Sequence, residues 1–161
     1  MKVALVTGAA AGIGAAISRR LARDGIAIGV LDLSLEAAGK VADEIAAKGG
    51  KAIALQADVS KRAQVEAAVA KLRSALGPIT ILVNNAGALG AQLNVPLLEL
   101  DEATWHLMVD SHLTGTFLCL KHAAPHMVRQ RWGRVVNTSS VHGRIGGRPT
   151  LGHYGAAKAG V

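Results

Sequence analysis

The chain has 161 residues and a formal net charge of +7. Half of it is apolar, with 19 Gly but only two Trp, one Tyr and one Phe. That length and composition give one domain, 1–161, with a real core, and exclude a disordered or collagen-like chain. The basic residues are scattered, apart from Arg129, Arg131 and Arg134, and aromatics are too few for base stacking, so no nucleic-acid partner is expected.

"KVALVT" (2–7) reads as a buried strand, and 12–24 as a helix with Ile13, Ile17 and Leu21 on one face. "IAIGVLD" (26–32) is a second strand. Ser34 caps a helix whose inner face holds Leu35, Ala38, Val41, Ala42 and Ile45, ended by Gly49-Gly50. "KAIALQAD" (51–58) is a third strand. Ser60 caps the next helix, with Val65, Ala68, Val69, Leu72 and Leu76 inward, stopped at Gly77-Pro78. "ITILVNN" (79–85) is a fourth strand, followed by a loop to about Leu100. Helices near 101–109 and 112–130 come next, with Pro125 a local irregularity in the second. "GRVVNTSS" (133–140) is a fifth strand, and a Gly- and Arg-rich loop leads to a last helix from His153.

These strands are short and continuously apolar, as strands buried on both faces are. Their alternation with helices gives an α/β fold, a Rossmann-like doubly wound parallel sheet. The N-terminal apolar run is too short for a signal peptide. Residues 74–98 carry no charge, but Gly77, Pro78, Asn84, Asn85 and Pro96 break them up, so no membrane span is expected. The single Cys119 excludes an internal disulfide and reads as a buried helix residue. A cytoplasmic protein is the expectation.

"TGAAAGIG" joins strand one to helix one. Its Gly8, Gly12 and Gly14 clear side chains from a helix N-terminus, where a diphosphate can sit on free N–H groups. No Lys-Ser or Lys-Thr follows, so it is not a P-loop. Asp32 ends strand two, 18 residues beyond Gly14. A carboxylate there accepts both hydroxyls of an adenosine ribose. It also repels a 2′-phosphate, and no Arg or Lys stands at Ala10, Ala11 or Leu33, so NAD is expected over NADP. The alternative is a loop aspartate that merely precedes the Ser34 cap.

With these residues in place, the whole chain resembles the short-chain dehydrogenase/reductase family, as its N-terminal portion. "TGAAAGIG" matches the family's TGxxxGxG, including Ile13. Asp58-Val59 looks like its adenine-contacting pair, and "NNAG" (84–87) like the motif ending strand four. "NTSSVHG" (137–143) is similar to the segment around its serine, and "YGAAK" (154–158) to its YxxxK. The resemblance implies a hydride transfer between NAD(H) and a small-molecule alcohol or ketone. Asn85, Ala86 and Gly87 would join the cofactor site. Tyr154 would be the proton donor or acceptor, and Ser140, or Ser139 in its place, would hydrogen-bond the substrate oxygen. Lys158, at i+4 from Tyr154, would bind the nicotinamide ribose. A free tyrosine titrates near ~10, and a nearby ammonium favours the phenolate.

"DSHLTGTF" puts His112 where the family usually has an asparagine. It would hold a water in a proton relay and titrate near neutral pH, or simply replace a structural helix residue. His122 and His126 are spaced i, i+4, but no acidic or Cys set accompanies them, so no metal is expected. His142 and His153 flank the serine and the tyrosine. Family members continue well past YxxxK, so the resemblance also implies an uncovered sheet edge here. Two functions follow: an NAD-dependent alcohol dehydrogenase or ketoreductase of which this is a portion, or an inactive fragment that at most binds a dinucleotide or a partner. Intact family members are often homo-oligomers; for this chain weaker association is expected.

Overall fold

The computed structural model describes residues 1–88, 93–146 and 148–161. Five strands form one parallel sheet: β1 (Val3–Thr7), β2 (Ala27–Asp32), β3 (Ala52–Gln56), β4 (Ile81–Asn84) and β5 (Arg134–Asn137), in the order β3-β2-β1-β4-β5. In register, Val6 of β1 stands between Val30 of β2 and Val83 of β4. The helices are α1 (Gly12–Arg23), α2 (Leu35–Ala47), α3 (Arg62–Leu76), α4 (Glu102–Val109), α5 (Gly115–Arg129), α6 (His142–Ile145) and α7 (Gly152–Gly160).

Side chains alternate across a strand, and the sheet uses both faces. Val3 and Leu5 pack with Val65 and Leu72 of α3 and with Leu118, Cys119 and Met127 of α5. Ala4 and Val6 pack with Ala15 of α1 and with Ala38, Val41 and Ile45 of α2. Each fully buried Leu, Ile or Val contributes roughly 1.5–3 kcal/mol, so a two-faced β1 anchors both layers. Gly29 of β2 lets α3 close in, because a Cβ there would lie 2.6 Å from Leu72.

Ser34 caps α2 as expected, its Oγ accepting from Ala37 N–H at 3.2 Å. Ser60 does not cap α3. Asp58 Oδ1 takes both the Ser60 backbone N–H and its hydroxyl, at 2.9 and 2.7 Å, and α3 starts after Lys61 with no side-chain cap. Two inward positions are also corrected: Leu35 is exposed, and Ile13 is 66% exposed in the first turn of α1, beyond the sheet.

The two helices expected near 101–109 and 112–130 run on as one. Between α4 and α5 lies a wider turn, Asp110–Thr114, in which Gly115 N–H donates to Asp110 C=O five residues back. Backbone angles at Val109, Asp110, Thr114 and Gly115 all stay helical, so nothing interrupts the rod. Pro125 lies inside α5. Two residues past the end of α5 the chain turns through a left-handed residue, Arg131 (φ 54°), with Trp132 N–H closing back on Met127 C=O. Trp132 then takes the Lys2 ammonium and the Arg134 guanidinium on its ring.

All four residues of β5 are exposed, against the expectation of strands buried on both faces. Among the described residues β5 is an edge strand of the sheet, paired with β4 alone. Within the loop after β4, residues 89–92 lie outside the described residues; a short turn at Leu97–Glu99 is seen, and Leu97 N–H donates to Pro149 C=O. The loop before the last helix contains α6, which the sequence did not indicate.

Candidate active site

The strand order reverses at β1, which has β2 on one side and β4 on the other. In open α/β sheets the crevice at the C-terminal ends of such strands is the ligand site. Thr7 at the end of β1 ties the two sides together. Its Oγ1 accepts from the backbone N–H groups of Asn85 and Ala86, both at 3.0 Å. Asn85 Nδ2 in turn donates to the Thr7 and Gly8 carbonyls, both at 3.2 Å. The glycine loop and the Asn85–Gly87 segment are thereby held side by side.

The glycines are needed for different reasons. Gly8 has φ 61°, and a Cβ there would meet Ala86 Cα at 2.8 Å. Gly14 is packed on Gly8 O, 2.2 Å from where a Cβ would stand. Gly12 has φ 51° but open space around it, so it presents bare backbone. No side chain caps the N-terminus of α1, and its first N–H groups stay available to an anion.

A cavity of about 730 Å³ opens above this loop. Gly8, Gly12 and Ile13 line one part of it; Asn85, Ala86 and Gly87 line another; Asp58 and Val59 stand with Asp32 at the β2 and β3 ends. Gly14 supports the loop from beneath. Asp32 is fixed by two backbone donors, Ala10 N–H at 2.9 Å and Ser34 N–H at 3.4 Å. The uncapped helix end, the bare Gly12 and the oriented Asp32 carboxylate fit a dinucleotide. Among the described lining residues, three carboxylates (Asp32, Asp58, Asp110) face one ammonium, Lys61. Lys61 lies outside every motif, and Asp110 opens "DSHLTGTF", where the sequence singled out only His112.

Tyr154, Lys158, Ser140 and His112 stand outside that lining. Tyr154 and Lys158 lie one turn apart on α7, with Lys158 Nζ 5.9 Å from the Tyr154 ring centroid. Lys158 is only 5% exposed, and burial lowers its pKa from the ordinary value. Its ammonium donates to Thr138 C=O at the end of β5. Ser139 Oγ donates to the Lys158 carbonyl at 2.7 Å, so that hydroxyl is committed to α7. Ser140 Oγ accepts from His142 N–H at 3.3 Å, which leaves its own O–H to donate. The His142 ring lies 6.2 Å from that of Tyr154.

His112, in the wider turn, meets Tyr154 edge to face at 5.4 Å. It is 3% exposed, and its Nε2 bonds Ala88 C=O at 3.0 Å. A carbonyl only accepts, so Nε2 carries the proton. Its pKa falls from 6.5 to about 4: burial is the main cause, the Lys158 charge adds to it, and the Ala88 bond opposes it. The expectation that His112 titrates near neutral pH is therefore corrected.

The family described as short chain dehydrogenase matches residues 2–161. The chain belongs to the short-chain dehydrogenase family. Among relatives of this chain is a 3-oxoacyl-(acyl-carrier-protein) reductase of Staphylococcus aureus. It is 42% identical over 161 residues, a match that covers 99% of this chain and 64% of the relative. A cis-4-hydroxycyclohexanecarboxylate dehydrogenase of Sinomonas cyclohexanicum is 41% identical over 160 residues, covering 99% and 63%. A crystal structure of a 3-ketoacyl-ACP reductase from Sinorhizobium meliloti superimposes with a TM-score of 0.91 at 39% identity, covering 98% of this chain and 61% of that one. The chain thus spans somewhat under two thirds of the length of these relatives.

Elsewhere in the chain, burial pushes the Cys119 thiol up to about 12, which keeps it unreactive in the core. His122 Nε2 lies 3.6 Å from Glu66 on α3, and His126 bonds Gln130. Among the described residues no group of three or more His, Cys, Asp and Glu comes together as a metal site. No helix among them is long and apolar enough to cross a membrane.

Proposed function

We propose that this chain supplies the dinucleotide site and the acid–base residues of an oxidoreductase that moves hydride between NAD(H) and a secondary alcohol or ketone. The observation that carries the reading is the buried Lys158 ammonium beside the Tyr154 ring, next to a cavity built from an uncapped helix end and the Asp32 carboxylate. The bound nicotinamide supplies or takes the hydride, and the protein positions it. In the reducing direction the Tyr154 O–H gives its proton to the substrate oxygen, and the Lys158 charge stabilises the phenolate left behind. Ser140 has its O–H free to bond the same oxygen, whereas Ser139 has spent its own on Lys158. Both named relatives bear names of enzymes acting on a keto or hydroxyl carbon, which supports the substrate class.

NAD is favoured over NADP because a 2′-phosphate would meet Asp32 in a lining where carboxylates outnumber ammonium groups. The test is turnover of a short 3-oxoacyl thioester by the purified chain with NADH and with NADPH. We expect kcat/KM with NADH to be higher by at least about tenfold, a difference of about 1.4 kcal/mol. Asp32→Asn should narrow that gap, and Tyr154→Phe should abolish turnover. Equal or better use of NADPH sinks the NAD assignment.

A second reading is a dinucleotide binder without turnover. Tyr154, Lys158 and Ser140 stand outside the lining of the dinucleotide cavity, which favours it. NADH binding with no Tyr154-dependent turnover would decide for it.

A further inference from the structure

The wider turn Asp110–Thr114 does something beyond placing His112. From it, two consecutive side chains reach the backbone of the same residue, Ala88. Ser111 Oγ accepts from Ala88 N–H at 3.0 Å, and its hydroxyl leans on Met108 C=O at 3.4 Å. His112 Nε2 donates to Ala88 C=O at 3.0 Å. Both polar groups of Ala88 are thus held by neighbouring residues of one turn. The His112 ring also packs against Gly87, where a Cβ would come within 1.8 Å of it. Gly87, Ala88 and Ser111 all line the dinucleotide cavity, and the same imidazole abuts the Tyr154 ring. An α-helical turn has one residue fewer, and such wide turns recur at functional sites.

The geometry points to Ser111 and His112 as paired positioning residues, a two-sided clamp on Ala88 that sets the cavity wall at Gly87–Ala88 and the seat of Tyr154. In this role His112 moves no proton. Its Nε2–H is committed to Ala88, and its Nδ1 is buried among the described residues without a hydrogen-bond partner. The glycine at 87 is part of the device, since any side chain there would drive the imidazole away. The structural half of the clamp stands alone; its effect on the dinucleotide rests on the function proposed above.

The test uses the 161-residue chain and separates the two halves. Amide hydrogen exchange at Ala88 is measured in the parent, in Ser111→Ala and in His112→Ala, with Ser111→Thr as the conservative rescue. The imidazole 15N spectrum of His112 is recorded at pH 7. NADH dissociation constants are measured for every variant. We expect a parent imidazole protonated at Nε2 and bare at Nδ1. Ala88 exchange should rise about fivefold in Ser111→Ala, the effect of one lost hydrogen bond, and return in Ser111→Thr. NADH binding should weaken by about fivefold in Ser111→Ala and recover with the same rescue. An Nδ1-protonated imidazole, or Ala88 exchange unchanged in Ser111→Ala, overturns the clamp whatever the nucleotide does. Faster exchange with unchanged NADH affinity overturns its role at the cavity. A parent that binds no dinucleotide refutes the proposed function instead, and exchange and tautomer still decide the clamp. Should His112→Ala fail to fold, the Ser111 pair carries the same decision.

Discussion

His112 makes the fold sensitive to acid. In the folded chain its pKa is about 4, against an ordinary 6.5, so between those values the unfolded chain binds more protons. Stability therefore rises with pH in that window and is lost as pH falls from about 6.5 toward 4. Integrated from pH 7 to 4.5, the contribution is on the order of 2–3 kcal/mol. The Nε2–H bond to Ala88 survives protonation, because that nitrogen donates in both forms; the cost arises from bringing charge into a buried site beside the Lys158 ammonium. Urea unfolding at the two pH values should show the parent losing that much more stability than His112→Asn. Equal losses in the two proteins would refute the buried, neutral imidazole. Above pH 6.5 His112 stays uncharged and should leave no inflection in a pH–rate profile.

The glycine loop separates two requirements that look alike in sequence. Gly14→Ala puts a methyl 2.2 Å from Gly8 O and 2.9 Å from Ala9 Cα, both backbone atoms that cannot swing away. Overpacking against fixed backbone should cost about 3 kcal/mol. Gly12→Ala meets nothing within 4 Å, so its cost is the left-handed backbone, about 1–2 kcal/mol. Its methyl instead projects where a phosphate would approach, and NADH affinity should fall more than stability does. Unfolding and NADH titration of both variants check this; a Gly14→Ala protein as stable as Gly12→Ala defeats the distinction. Such glycines, the Ser34 cap and the Tyr154–Lys158 spacing were legible because each need is local: a φ value, a first-turn N–H, a shared helix face. Ser60 failed as a cap because Asp58 sits near enough to claim its hydroxyl. Ile13 keeps the helical period yet faces the cavity, since the first turn of α1 projects beyond the sheet. The turn at Asp110–Thr114 hides because one added residue leaves the apolar pattern readable as two helices, and so the Ser111–His112 pair on Ala88 stayed hidden as well.

At the scale of the molecule, the sheet is protected unevenly. β1 (VALVT) is buried along its whole length, while β5 (RVVN), with two valines at its centre, is open. Burial of a strand depends on what lies beside it, which its own residues do not encode. Among the described residues of the 161-residue chain no strand pairs with the outer edge of β5, next to Val135 and Val136, the latter 53% exposed. Such an edge is a template for pairing with another strand. The net charge of +7 opposes that pairing by repulsion between copies. The balance should shift with salt, because screening shortens the repulsion to roughly 8 Å at physiological ionic strength and less above it. Sedimentation of the 161-residue chain should therefore show association that grows with protein concentration and with added salt. Val136→Lys adds a charge on the edge strand and should hold the chain monomeric under the same conditions. If that variant associates as readily as the parent, the edge is not the contact. The exposed Phe117, Leu120 and Val128 on α5 then become the surface to change, and charges placed there should have the effect that Val136→Lys lacked.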